Sequence, residues 1–224
     1  MLNLIPTPTM SRTLRVLAHL LRYPDAELRA HLPELRDALR DERALVTSRL
    51  AEVDALIDRL GTLPPMAVES EYVDLFDRSR RTALHLFEHV HGDSRDRGPA
   101  MVDLAQTYEG AGLYLGAGEL PDYLPVVLQF ASTQPPAQAR EFLREIAHIV
   151  RAIFSALLER GSPYAAALAA LLDLAGERAE RVPLPEEPAL DEAWAEPEAF
   201  GGCSTAGQAK PGQPQPIRVV RRAA

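Results

Sequence analysis

Apolar residues recur at helical spacing along most of the chain up to Ala175. After Ser11, Leu14, Leu17, Ala18 and Leu21 fall at i, i+3, i+4 and i+7, with Ser11 a candidate N-cap and Pro24 the stop. Asp25 is a candidate N-cap for a second helix to Leu39, which Pro33 bends or divides. The cleanest period runs from Asp41 to Leu60, where Val46, Leu50, Val53, Ile57 and Leu60 form one stripe and Gly61 follows as terminator. Pro64 and Pro65 open a helix that presents Val68, Tyr72, Leu75 and Phe76 on one side.

Beyond a polar, turn-like Asp77 to Arg81, the simple period lapses between Ala83 and Asp122. Within that span Pro99 opens a helix with a predicted buried stripe of Met101, Leu104, Ala105 and Tyr108. Periodic helix then returns from Asp122 to Ser132, with Pro125 tolerated in the first turn. The longest helix runs from Pro135-Pro136 to Arg160, with Phe142, Ile146, Ile149, Ile153 and Leu157 inward. Gly161 ends it, and Ser162-Pro163 starts a last helix to Ala175. No segment alternates as a strand does and no period repeats, so the pattern predicts an all-α, single-domain bundle of about eight helices, neighbours mostly antiparallel. The domain is expected to occupy residues 1–200, with an acidic, Pro-interrupted extension from about 177 that pins Trp194 to the body. A disordered tail is expected over 201–224, where Gly, Gln and Pro dominate.

Composition narrows the class. A formal charge of −8 disfavours nucleic-acid binding and suits a cationic partner. No apolar run approaches the ~20 residues a bilayer needs, and the start has no signal-peptide pattern, so no stable membrane association is expected. The single cysteine, Cys203, fits a reducing compartment, and a cytoplasmic location is expected. The basic residues are Arg with the sole exception of Lys210, which the Ala- and Pro-rich composition accounts for.

Candidate chemistry gathers where the period lapses. His85, Glu88, His89 and His91 are suitable metal ligands by type. Their spacing is not that of HExxH, because His85 and His89 share a helical face and His91 does not. Acid–base use of His89, His91, Asp93 and Asp96 is a second reading, although no nucleophile with an orienting base accompanies them. The third reading is recognition, with polar groups bracing a loop and Phe87 as an anchor. Gly110, Gly112, Gly116 and Gly118 lack the order of a phosphate loop. From Glu69 to Asp122, eleven acidic residues face five arginines, so a groove lined by this span would favour a positively charged guest.

The segments LHLFEHVHGDSRDRGPAMVDL and ELPDYLPVVLQF resemble the redox-enzyme maturation chaperones of the TorD/DmsD superfamily, and more narrowly the NarJ-type nitrate reductase delta subunits. YPD after the first helix, EYVDLFD, and DEAWAEPEAFGGC agree, so the resemblance covers about Ser11 to Cys203. Tyr123 stands where a His is common in the wider superfamily. The resemblance implies a non-enzymatic chaperone without a cofactor of its own. It would bind the N-terminal peptide of the apo catalytic (alpha) subunit of respiratory nitrate reductase during iron–sulfur and molybdenum cofactor insertion. The proteins of molybdenum-cofactor synthesis would be further partners.

On this basis an amphipathic peptide helix is expected to lie against Phe87, Met101, Leu104, Tyr108 and Tyr123. Asp103, Glu109, Glu119 and Asp122 would meet its positive end, and His89, His91, Arg95 and Arg97 would shape the bordering loop. The alternative is a small helical metal-dependent enzyme built on His85, Glu88, His89 and His91.

Overall fold

The computed structural model describes residues 9–90 and 96–184. All of them fall within one structural unit, Met1–Pro185. The expected tail, Trp194 and Cys203 lie outside the described residues, as do His91 and Arg95.

The described residues form α1 (Ser11–Leu20), α2 (Ala26–Ala30), α3 (Leu32–Glu42), α4 (Thr47–Thr62), α5 (Pro65–Tyr72), α6 (Leu86–Val90), α7 (Arg97–Gly110), α8 (Leu124–Thr133), α9 (Pro136–Glu159) and α10 (Ala165–Ala175). A π-helical turn, Val73–Asp77, extends α5. The all-α expectation holds, and the helices are more numerous than expected for identifiable reasons. The predicted second helix is two, broken at His31, with Pro33 in the first turn of α3, where its missing N–H costs nothing. Leu86–Val90 closes as one helical turn within the span expected to be irregular.

The core forms where α1 packs on α8 and α9 packs on α10. Leu14, Leu17, Leu124, Leu128, Ile153 and Leu168 are fully buried there. Small residues let α10 approach closely: nine of its eleven residues are buried. Its half-buried Asp173 accepts from Arg49 Nε at 2.8 Å. Gly161 (φ 62°) and Gly176 (φ 79°) end α9 and α10 in left-handed backbone. In each case the following N–H reaches back to the helix, Ser162 to Leu157 and Glu177 to Leu172, both at 2.9 Å.

Ser11 does not cap α1. It is the first helical residue, and its hydroxyl donates to the Ser132 carbonyl at 2.6 Å. The N–H groups of Arg12 and Thr13 instead donate to the carboxylate of Glu42, at the far end of α3. No helix among the described residues is long and apolar enough to cross a membrane.

Candidate functional site

Leu84 and His85 pair with Tyr123 and Leu124 in the one β-bridge among the described residues, so the two ends of the aperiodic span lie side by side. Asp122 fastens this junction. Its side chain is wholly buried and accepts the Phe87 N–H at 3.1 Å, with His85 Nδ1 at 3.4 Å and Arg97 Nη2 at 3.9 Å. A carboxylate that deep needs such partners, since unpaired burial of its charge would cost several kcal/mol, on the order of 3–5. Arg97 also approaches Glu88 at 3.6 Å, and His89 Nε2 donates to the Ala83 carbonyl at 2.8 Å. Together these contacts tie α6 and the start of α7 to the chain before α8.

The other end of α7 is held by Tyr108, its single buried residue. The Tyr108 ring packs on Phe130 at 4.7 Å between centroids, and its hydroxyl donates to the Pro121 carbonyl at 2.8 Å. Burial holds the phenol above its ordinary pKa. Leu104, Leu113, Leu115, Phe142 and Tyr123 pack around this small cluster, separate from the main core.

Beside the bridge opens a cleft of about 240 Å³ with Tyr23, Tyr72, Phe76, Leu84, His85 and Tyr123 in its walls and Asp77 in its lining. The His85 ring stacks on Tyr123 at 5.2 Å. Tyr72 donates to the Leu21 carbonyl at 2.9 Å, satisfying an acceptor at the end of α1, and therefore receives the Tyr123 hydroxyl at 3.1 Å. Burial raises the pKa of both phenols, so they stay neutral donors at physiological pH. Tyr23 stands edge-on to Tyr72 and donates to Glu69 at 3.1 Å, which fixes a ring that is 43% exposed.

These placements divide the expected contacts. Tyr123 is half-buried and belongs to both the cleft and the α7 cluster. Phe87, Met101 and Leu104 are half-buried; Asp103 and Glu109 are exposed on α7. Glu119 is exposed and accepts the Gly116 N–H at 2.9 Å, closing a turn. Tyr108 and Asp122 are interior, so they position the site instead of presenting a surface to a guest. Tyr72 and Phe76 come from the apolar side the helical period predicts, whereas Tyr23 and Asp77 are wall residues that no period marks. Phe76 and Asp77 lie in the π turn, which shifts the helical register just after the wall residue Tyr72.

Among the described residues no group of three or more His, Cys, Asp or Glu is placed to hold a metal ion. Of the four residues named for that alternative, His85 faces Asp122, His89 faces the Ala83 carbonyl, Glu88 lies beside Arg97, and His91 is outside the described residues.

Residues 21–170 match the family of the nitrate reductase delta subunit. The nitrate reductase molybdenum cofactor assembly chaperone NarJ of Escherichia coli K12 is 42% identical over 71% of this chain and 68% of its own length. The nitrate reductase-like protein NarX of Mycobacterium tuberculosis H37Rv is 38% identical over 54% of this chain, a stretch that makes up 19% of NarX. A crystal structure from Archaeoglobus fulgidus, described as a redox enzyme maturation protein, superposes with a TM-score of 0.54 at 21% identity, covering 79% of this chain and 100% of that one. At that identity the superposition speaks for the fold alone.

Proposed function

The chain belongs to the nitrate reductase delta subunit family, and from that premise we propose that it is a maturation chaperone for a respiratory nitrate reductase. In this reading it holds the apo catalytic subunit by its N-terminal segment in the cytoplasm. Iron–sulfur and molybdenum cofactors are inserted meanwhile, and the subunit is released before or as it docks at the membrane. The chaperone performs no chemistry itself, and the molybdenum-cofactor synthesis proteins are its further partners.

The observation that carries the reading is the aromatic cleft at Tyr123, whose rings are fixed before any guest arrives. Tyr72 and Tyr123 are held by hydroxyl hydrogen bonds to the end of α1, and His85 by Tyr123 and Asp122. Prefixed rings present large apolar area without a further ordering cost on binding. An amphipathic client helix would lay its apolar face on Tyr123, with Phe87, Met101 and Leu104 as further contacts. Asp77, Asp103, Glu109 and Glu119 would meet its positive end. Asp122, Tyr108, His89 and Arg97 would hold the supporting segment in place.

Titration with the client's N-terminal peptide tests this placement. Anchor truncation typically costs ~2 kcal/mol or more, so Phe87→Ala and Tyr123→Ala should each weaken binding at least about tenfold. Full-strength binding by both variants would discard the groove.

A further inference from the structure

A second cleft, of about 330 Å³, shares Tyr23 with the first. It is built where α1 ends, the chain turns through Tyr23-Pro24-Asp25, and α2 and α3 begin. Leu28 and Leu35 supply its apolar members, while Asp25, Glu27 and Glu34 supply its negative charge. Arg22 is the one guanidinium in the lining. Burial, then Arg22 and His31, hold His19 below the ordinary histidine pKa, so it adds no charge at neutral pH. Three carboxylates thus outweigh one guanidinium around an apolar floor.

That chemistry fits a long cationic side chain. Lys and Arg bury their methylene stems on apolar surface while the charged head meets carboxylates, and Arg can pair with a carboxylate in bidentate fashion. Asp25 already has one oxygen committed to the Leu28 N–H at 2.8 Å, as the N-cap of α2. Glu27 and Glu34 are exposed in the first turns of α2 and α3.

We propose that the guest segment does not stop at the Tyr123 cleft but passes Tyr23, and that a Lys or Arg on it docks in the second cleft between Glu27 and Glu34, with Leu28 and Leu35 under its stem. This subsite rests on the peptide-binding reading and adds to it a charge selection made by residues outside the central span. Tyr23, edge-on to Tyr72 and bonded to Glu69, is the fixed divider the segment crosses.

The test is a calorimetric comparison of the full chain and its Glu27→Gln/Glu34→Gln variant. Each is titrated with the N-terminal peptide of the nitrate reductase catalytic subunit and with the same peptide carrying Gln in place of its Lys and Arg residues. The double variant should bind the natural peptide about tenfold more weakly and the neutral peptide no more weakly than the unaltered chain does. Equal loss for both peptides, or no loss for either, overturns the subsite while leaving the Tyr123 cleft standing. Absence of binding by the unaltered chain overturns the chaperone site and this inference with it. A thermal melt verifies that the variant is folded. Should it not be, the unaltered chain decides alone: the natural peptide binding about tenfold more tightly than the neutral one supports the subsite, and equal affinities overturn it.

Discussion

Helices α10 and α7 are of similar length and are held in opposite ways. α10 buries nine of eleven residues and, among the described residues, has polar ties only near its end, at Asp173 and at the Ala175 carbonyl that accepts from Arg144 Nε, whereas α7 buries one of fourteen. The first is fixed by area removed from water. The second is fixed at two points, Tyr108 at its end and the Asp122 carboxylate near its start. Apolar packing over a whole face resists local opening, while two polar fastenings let a segment move without disturbing the core. The half-buried apolar residues expected to meet a guest, Met101 and Leu104, sit on the loosely packed helix. The rigid rings of the cleft sit against the core.

The sharpest way to break this contrast is to cut each region at its own fastening. Leu128→Ala, on the wholly buried face of α8, should lower global stability by about 2–5 kcal/mol in a denaturant titration. Asp122→Ala should cost about 3 kcal/mol or less, and its effect should be local. Amide exchange should quicken in residues 84–90 and 97–110, while α9 and α10 keep their protection. Uniform acceleration throughout the chain would mean that the two regions are one cooperative unit. Tyr108→Phe removes only the donor to Pro121 and should cost about 1 kcal/mol, with faster exchange confined to α7 and the turn after it.

The smallest expected effect concerns His19, whose pKa is lowered by burial, then by Arg22 and His31. The folded chain binds this proton less tightly than the unfolded chain, so protonation favours unfolding. The stabilisation is complete above the unfolded value of about 6.5 and is lost as pH falls through the lowered folded value. Denaturation midpoints of the His19→Gln variant should therefore fall less steeply over that acidic window than those of the unaltered chain. Identical slopes would remove His19 from the account.

What the sequence discloses follows the same division. The interior of α9 and α10 is legible because burial writes a period, and their ends are legible because Gly161 and Gly176 adopt positive φ. The α1 cap is not, since Glu42 reaches Thr13 from the end of another helix. Asp122 reads as a surface acid in a charged span, and only the Leu84–Leu124 pairing reveals that it is interior. Of the stripe Met101, Leu104, Ala105 and Tyr108 that the period turns inward, only Tyr108 is buried, and its hydroxyl partner, the Pro121 carbonyl, leaves no periodic trace. The cleft combines Tyr23, the π turn and Tyr123, three segments with no shared spacing. Their convergence is a property of tertiary packing.

The central claim is that prefixed aromatic walls receive a peptide. The direct measurement is calorimetric titration of the chain with a peptide copying about fifteen residues, some four helical turns, from the start of the nitrate reductase catalytic subunit. The account predicts saturable binding that weakens at least about tenfold on Tyr123→Ala. Absence of binding, or equal binding by the variant, would contradict it.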